Sequence, residues 1–252
     1  MLSIHESECF LFIIEYFCVM SHEMKFDHTG LSSSTTLADV EKLCSEAVTH
    51  GFETVSIPPL FVRKAKELTA SGHIQVATVI GFPYGYNVIE SKLAEIVMAM
   101  VDGADELKMV INMLALKNND WQYLAKEITT VLPVVRAKGK KLTVILEVDE
   151  LTEEEIKQCC DLYGVAGIDF LQAGTGVLLD PVRVESIALI RRHLADPVRI
   201  KATGQYDGYA DAMKIMEAGA SYICSSKCVQ IVKQSRPGTS GMVFEIPNSN
   251  TN

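Results

Sequence analysis

Alternation between short apolar runs and amphipathic helical stretches is the feature that most constrains this fold. The alternation begins after Met24 and repeats about eight times along the 252-residue chain. The apolar runs are rich in Val, Ile and Leu, as expected of parallel strands that are buried on both faces. Consecutive βα units of this number predict a parallel sheet that closes on itself, an α/β TIM barrel in a single domain. A doubly wound open sheet is the alternative, but the G-x-G-x-x-G motif that would favour it does not occur in the sequence.

The helical stretches are bounded by residues that favour helix ends. Thr36 and Thr152 are predicted N-caps, because a threonine hydroxyl can accept a hydrogen bond from a backbone N–H of the first turn. Glycines just beyond the stretches predict their C-terminal ends; these are Gly51, Gly72, Gly103, Gly139, Gly164 and Gly219. The barrel is expected to span residues 25–234, between an N-terminal extension at 1–24 and a flexible tail at 235–252.

Composition excludes several classes of function. The formal net charge of −9 argues against a nucleic-acid surface, which requires clustered Lys and Arg. The seven cysteines are odd in number and form no C-x-x-C pair, so we interpret them as reduced thiols of a cytoplasmic protein that has no zinc site.

An apolar run near the N-terminus, CFLFIIEYFCVM at 9–20, is too short for a typical membrane span. It contains Glu15, has no basic flank, and is not followed by a small-residue cleavage site. We therefore expect neither a membrane anchor nor a signal peptide. The run is interpreted either as an extra N-terminal helix or as residues upstream of a later start at Met20 or Met24.

Polar residues near the ends of the apolar runs are the candidates for chemistry. In a TIM barrel, reactive side chains come from the carboxyl ends of the strands. Lys201 follows such a run and precedes a glycine turn, so burial is expected to lower its pKa and free its amine. Glu106, Lys108 and Asn112 are expected on one face of the fourth strand. A structural hydrogen-bond network is one interpretation of Glu106, Glu147 and Asn112, and it is the favoured one for Glu106.

Eight segments together carry a resemblance to a known family. They are KFDHTGL (25–31), GFETVSIPP (51–59), ATVIGFP (77–83), GADELKMVIN (103–112), LTVILEV (142–148), GIDFLQAGTG (167–176), RIKATGQYDG (199–208) and AGASYICSS (218–226). In this order and spacing they resemble deoxyribose-phosphate aldolase, a family of lyases that work through a lysine Schiff base. The resemblance runs from about Phe26 to about Val232. It implies reversible cleavage of 2-deoxyribose 5-phosphate to glyceraldehyde 3-phosphate and acetaldehyde, without metal or cofactor.

Two reactive positions of that family are changed in this chain. The Schiff-base lysine of the family's F-[IV]-K-T-S-T-G motif aligns with Gln172, which cannot form an imine. The aspartate of its E-[IV]-D-x-V motif aligns with Lys108, whereas the family's second lysine matches Lys201. One hypothesis is that Lys108 or Lys201 supplies the imine, because two neighbouring amines would lower each other's pKa, with Glu147 moving protons.

The alternative hypothesis is that the barrel is catalytically inactive. Lys108 and Lys201 would then neutralise Glu147 and Glu106, and the barrel would serve as a binding or scaffold protein for a protein partner. A homodimer is compatible with the sequence, and no residue pattern decides for or against it.

Other family positions predict a sugar-phosphate site. The resemblance places Asp27 and Thr29 near the substrate hydroxyls, and it makes Thr175 and Gly176 substrate-binding residues. The phosphate loop retains one glycine, Gly204. Ser225 and Ser226 follow the last strand, where hydroxyl and backbone N–H groups can hold an anion. The alternative for these two serines is that they are ordinary N-caps of the next helix.

Overall fold

Eight parallel strands form a closed barrel in a computed structural model, which describes residues 24–177 and 181–235. Neighbouring strands pair in sequence order, and the last strand pairs with the first. The strands are β1 Lys25–Thr29, β2 Thr54–Ile57, β3 Gln75–Ile80, β4 Glu106–Val110, β5 Lys141–Leu146, β6 Phe170–Ala173, β7 Arg199–Thr203 and β8 Tyr222–Ser225. The predicted TIM barrel is confirmed. The predicted extension at 1–24 and tail at 235–252 lie outside the described residues, apart from Met24 and Ser235.

Helices follow the strands in the expected alternation. They are α1 Leu37–His50, α2 Val62–Leu68, α3 Ile89–Val101, α4 Met113–Lys117, α5 Trp121–Arg136, α6 Glu153–Ala166, α7 Val184–His193, α8 Tyr209–Glu217 and α9 Cys228–Gln234. Single 3₁₀ turns occur at Pro59–Phe61 and Val148–Glu150. Helix α4 was not predicted from the sequence. Within the described residues, no helix combines the length and the apolar character needed to cross a membrane.

The predicted N-caps are confirmed at both positions. The Thr36 hydroxyl accepts a hydrogen bond from the Asp39 backbone N–H, and the Asp39 carboxylate accepts one from the Thr36 backbone N–H at 2.8 Å. Thr152 and Glu155 form the same reciprocal pair at the start of α6. Each pair satisfies two backbone donors that the first helical turn leaves free.

Two predicted helix ends are wrong. Helix α2 ends at Leu68 with Thr69 as its C-cap, four residues before Gly72. Gly164 was expected to close α6, but it lies inside the helix, which continues to Ala166 and ends at Gly167 in the left-handed region. The absence of a side chain at Gly164 serves packing instead. A Cβ built there would lie 3.3 Å from the Cβ of Ala195, so the glycine lets the helix approach the segment after α7. The sequence shows the glycine but not which of these two purposes it serves.

A buried ion pair joins helices α3 and α5, and its lysine also contacts the barrel. Lys92 of α3 and Glu127 of α5 are both fully buried, and their charged atoms are 2.7 Å apart. The Lys92 ammonium also donates a hydrogen bond to the backbone carbonyl of Val110 at the end of β4. Burial lowers the pKa of Lys92 and raises that of Glu127, although each charge partly offsets the effect on the other. Each side chain therefore depends on its partner to remain charged.

Removal of one partner of this pair is expected to destabilise the protein strongly. Lys92→Met leaves the Glu127 carboxylate buried without its cation, which costs about 3–5 kcal/mol in the free energy of unfolding. The double variant Lys92→Met/Glu127→Leu should recover most of that loss, because no buried charge is left. Urea unfolding of the single and double variants measures the difference.

An exposed ion pair provides the control. The Lys42 ammonium lies 3.9 Å from a carboxylate oxygen of Glu46 in α1, and the Lys42 side chain is 75% exposed. Lys42→Met should therefore change the free energy of unfolding by less than about 1 kcal/mol. Equal effects of Lys92→Met and Lys42→Met would show that the buried pair has no special role.

Candidate functional site

Strand register brings polar residues from distant parts of the sequence onto the inner face of the barrel. Lys108 of β4 lies beside Thr143 of β5, and Gln172 of β6 lies beside Lys201 of β7. Asp27 of β1 is paired with Cys224 of β8. Directly paired residues of neighbouring strands point to the same face of a sheet. The interior of the barrel therefore has a polar layer, although most of the strand sequences are apolar.

Four charged side chains form an interior charge network, defined as Asp27, Glu106, Lys108 and Lys201. The Lys201 ammonium lies 2.9 Å from an Asp27 carboxylate oxygen and 2.7 and 2.8 Å from the two Glu106 oxygens. The Lys108 ammonium lies 2.5 Å from the same Asp27 oxygen. All four side chains are buried from solvent. Each charge is thus compensated by at least one charge of opposite sign at contact distance.

Hydroxyl and aromatic groups complete the surroundings of this network. Ser56 donates a hydrogen bond to the second oxygen of Asp27, and Thr143 donates one to Glu106, both at 2.6 Å. The Lys201 ammonium also lies 4.5 Å from the ring centre of Phe170 and 4.8 Å from that of Tyr222. The negative faces of aromatic rings stabilise a nearby cation. The hydroxyl groups stabilise the ionised carboxylates, and the aromatic rings favour the protonated form of Lys201.

The predicted fall in the pKa of Lys201 is wrong. Burial by itself would lower the pKa of this ammonium, but Asp27 and Glu106 outweigh burial and raise it above its ordinary value. Burial would likewise raise the pKa of Asp27, but Lys108 and Lys201 lower it well below its usual range. Lys201 is therefore a protonated amine held by carboxylates, which is the form that cannot attack a carbonyl.

The other predicted roles of interior residues are partly confirmed. Glu106 belongs to a structural hydrogen-bond network, as expected. Asn112 does not belong to it, because its side chain caps α4 by accepting a hydrogen bond from the Ala115 N–H. Lys108 pairs with Asp27, and the expectation that the lysines neutralise Glu147 is wrong. Glu147 instead accepts hydrogen bonds from the backbone N–H and the hydroxyl of Thr175, just past β6.

A cavity of about 900 Å³ lies at the carboxyl ends of the strands. Seven of the site residues predicted from the sequence line it: Thr29, Gln172, Thr175, Gly176, Gly204, Ser225 and Ser226. The other four are absent from the lining: Asp27, Lys108, Glu147 and Lys201. Asp27 therefore has no direct contact with the cavity, and its role toward substrate hydroxyls stays a prediction.

One side of the cavity is apolar, and the sequence analysis did not predict it. Its residues come from the turn after β2 and from the loop after β3, and they include Pro59, Leu60, Phe61, Phe82 and Pro83. A concentration of proline and aromatic residues at the ends of two strands was the available clue. The described lining contains no Lys or Arg, and its charged member is Glu95.

Gln172 lies at the floor of the cavity, and its amide oxygen has no hydrogen-bond partner among the described residues. Its amide nitrogen donates a hydrogen bond to the Gly174 carbonyl at 3.0 Å, and the residue is only 2% exposed. Among the residues that the structure describes, none donates a hydrogen bond to its amide oxygen. The Thr203 hydroxyl, which also lines the cavity, likewise has no partner there.

Ser225 at the end of β8 and Ser226 after it are not the N-caps of the following helix. Helix α9 begins at Cys228, its N-cap is Lys227, and no side chain caps it. Ser225 is buried and its hydroxyl accepts a hydrogen bond from the Lys227 N–H at 3.1 Å, whereas Ser226 is exposed. Both serines border the cavity, so their hydroxyls can donate to a ligand.

Comparisons with known proteins agree with this architecture. The model of the family described as DeoC/LacD family aldolase matches residues 23–220. A deoxyribose-phosphate aldolase from Thermococcus gammatolerans is 41% identical over 212 residues, which cover 83% of this chain and 94% of that protein. The deoxyribose-phosphate aldolase of Caldicellulosiruptor saccharolyticus is 39% identical over 209 residues, covering 82% and 95%.

A solved structure supports the same assignment. Deoxyribose phosphate aldolase from Aeropyrum pernix, described as tetrameric, superposes with a TM-score of 0.77 and is 27% identical. The superposition covers 84% of this chain and 89% of the Aeropyrum chain. The resemblance inferred from the eight sequence segments is thus confirmed, and this chain belongs to the DeoC/LacD family of aldolases.

Proposed function

We propose that this barrel binds a phosphorylated sugar in its cavity without forming a Schiff base with it. The observation that carries the proposal is the position of the amino groups. An imine requires a neutral primary amine that can reach the carbonyl carbon. The side chain at the cavity floor is Gln172, whose amide nitrogen is not nucleophilic. Lys108 and Lys201 lie outside the lining, and both are paired with carboxylates.

The sugar-phosphate part of the proposal is supported by the relatives and by the cavity. The Thermococcus and Caldicellulosiruptor relatives are named for action on deoxyribose phosphate. The cavity volume of about 900 Å³ lies within the range of small-molecule sites. Gly204 borders the cavity and lets Pro181 pack closely against it, because a Cβ there would lie 2.4 Å from the Pro181 Cα. The hydroxyls of Ser225 and Ser226 add donors for a phosphate group.

An active aldolase is the alternative. In that case Lys108 or Lys201 would have to lose a proton, leave its carboxylate partners and enter the cavity. Glu147 would move protons only after its bonds to Thr175 changed. These rearrangements separate opposite charges inside the barrel, where each uncompensated charge costs several kcal/mol. We therefore favour the binding role over the lyase role.

Assembly and location are further proposals. We propose a homo-oligomer, because the Aeropyrum relative is described as tetrameric. A homodimer is the smallest such assembly, and a different protein partner belongs to the scaffold hypothesis. A cytoplasmic location stays a prediction. Its support is that Cys44, Cys159, Cys160, Cys224 and Cys228 are all buried free thiols.

Borohydride reduction in the presence of 2-deoxyribose 5-phosphate is expected to leave the protein unmodified between pH 6 and pH 9. The raised pKa of Lys201 means that its ammonium stays protonated below the ordinary lysine pKa of about 10.4, so raising the pH in this window does not free the Lys201 amine. Intact-mass measurement after reduction detects any adduct. A sugar adduct localised to Lys108 or Lys201 would falsify the binding-only proposal.

Restoration of two family residues should produce aldolase activity. Gln172→Lys returns an amine to the cavity floor, and Lys108→Asp removes the competing ammonium and returns an acid. We expect the double variant to release acetaldehyde at least about 10²-fold faster than Gln172→Lys alone, the contribution typical of a positioned acid or base. A coupled acetaldehyde assay measures both rates.

The control for this gain is Gln122→Lys, which adds a lysine to an exposed position of α5. It should show no acetaldehyde release above background. Wild-type protein that already matches the double variant would show that the two replacements do not limit catalysis.

Phosphorylated sugar should raise the melting temperature of the wild-type protein. At a ligand concentration 100 times the dissociation constant, binding stabilises by about 2.7 kcal/mol, or about 5 °C or more for a domain of this size. Ser226→Asp should abolish the shift by placing a carboxylate beside the phosphate. The exposed Ser71→Asp adds the same charge far from the cavity lining and should retain it. An undiminished shift in Ser226→Asp would exclude Ser226 from the phosphate site.

A further inference from the structure

The unused oxygen of Gln172 restricts what the floor of the cavity can recognise. The Gly174 carbonyl can only accept a hydrogen bond, so it requires the nitrogen of the Gln172 amide on its side. The amide orientation is thereby fixed, and the atom left without a partner among the described residues is a hydrogen-bond acceptor. A buried polar atom without a partner is costly. A ligand that donates a hydrogen bond here removes that cost.

Thr203 provides a second unsatisfied group at the same end of the cavity. Its hydroxyl can both donate and accept a hydrogen bond, and it has no partner among the described residues. The ammonium groups of Lys108 and Lys201 are directed at Asp27 and Glu106. The Gln172 oxygen is therefore left for a hydroxyl group of the ligand.

We infer that the cavity binds its sugar phosphate in the ring-closed form, with Gln172 accepting a hydrogen bond from the anomeric hydroxyl. This inference rests on the proposed function. An open-chain aldehyde presents only a carbonyl oxygen at its first carbon, and that acceptor would face the acceptor of Gln172. The hemiacetal presents a hydroxyl at the same carbon, which can donate. Thr203 can then donate to the ring oxygen or to a neighbouring hydroxyl.

Isothermal titration calorimetry with three ligands tests this inference. The ligands are 2-deoxyribose 5-phosphate, its analogue 1,2-dideoxyribose 5-phosphate, which lacks the anomeric hydroxyl, and inorganic phosphate. Wild-type protein should bind the parent sugar about 10-fold more tightly than the analogue, as expected for one hydrogen bond to an otherwise unpaired buried group. Gln172→Met has similar length without the acceptor. It should bind both sugars equally and leave the phosphate affinity unchanged.

The possible results separate the two proposals. Equal affinity of wild-type protein for the parent sugar and the analogue overturns the inference but leaves the binding function in place. Failure of the wild type to bind any of the three ligands overturns both. If Gln172→Met does not fold, Gln172→Leu replaces it, and equal or tighter binding of the analogue by wild-type protein still overturns the inference. Gln122→Met, exposed on α5, should keep the 10-fold preference of the wild type.

Discussion

The interior charge network is the interaction on which the rest of this site depends. Its two lysines and two carboxylates have charges that sum to zero, and they lie inside the barrel away from solvent. A single uncompensated charge in such a place costs several kcal/mol. Replacement of one member therefore exposes its partners to that cost, and the identities of residues 27, 106, 108 and 201 are linked to one another.

This linkage gives a physical reason for the two departures from the family pattern. The resemblance implies an acid at position 108 and an amine at position 172, whereas this chain has Lys108 and Gln172. Compared with the family motifs, this chain has a lysine on β4 and none at position 172 of β6, so the barrel has two interior ammonium groups among these positions. What differs is their location. Both ammonium groups now lie in the network, and neither lies at the cavity floor.

The fold could be predicted from the sequence because its determinants are local. Apolar runs, threonine caps and closing glycines each act within a few residues, and eight repeats of the same unit leave few alternatives to a barrel. The failures occur where a local pattern has two physical uses. Gly164 was interpreted as a helix end, but it serves close packing against Ala195. Helix α4 was missed because five residues are too few to show a helical period.

The site was predictable in its membership but not in its electrostatics. Motif positions identified residues that border the cavity, such as Thr175 and Ser225, because they lie at or just after strand ends. The state of Lys201 could not be derived in the same way. Its carboxylate partners are 174 and 95 residues away in sequence, and only closure of the barrel brings them into contact. A lysine at a strand end looks the same in sequence whether its amine is free or paired.

Separation of the charge network from the cavity lets recognition and chemistry change independently. The network lies on the inner faces of strands, whereas much of the lining comes from the segments that follow them. Gln172 belongs to both regions, because it is paired with Lys201 in the strand register and also borders the cavity. Under the proposed function, a substitution at 172 changes what can be done to a ligand but leaves the proposed phosphate site at Gly204 and Ser226 unchanged. A barrel can in this way lose imine chemistry and keep its ligand.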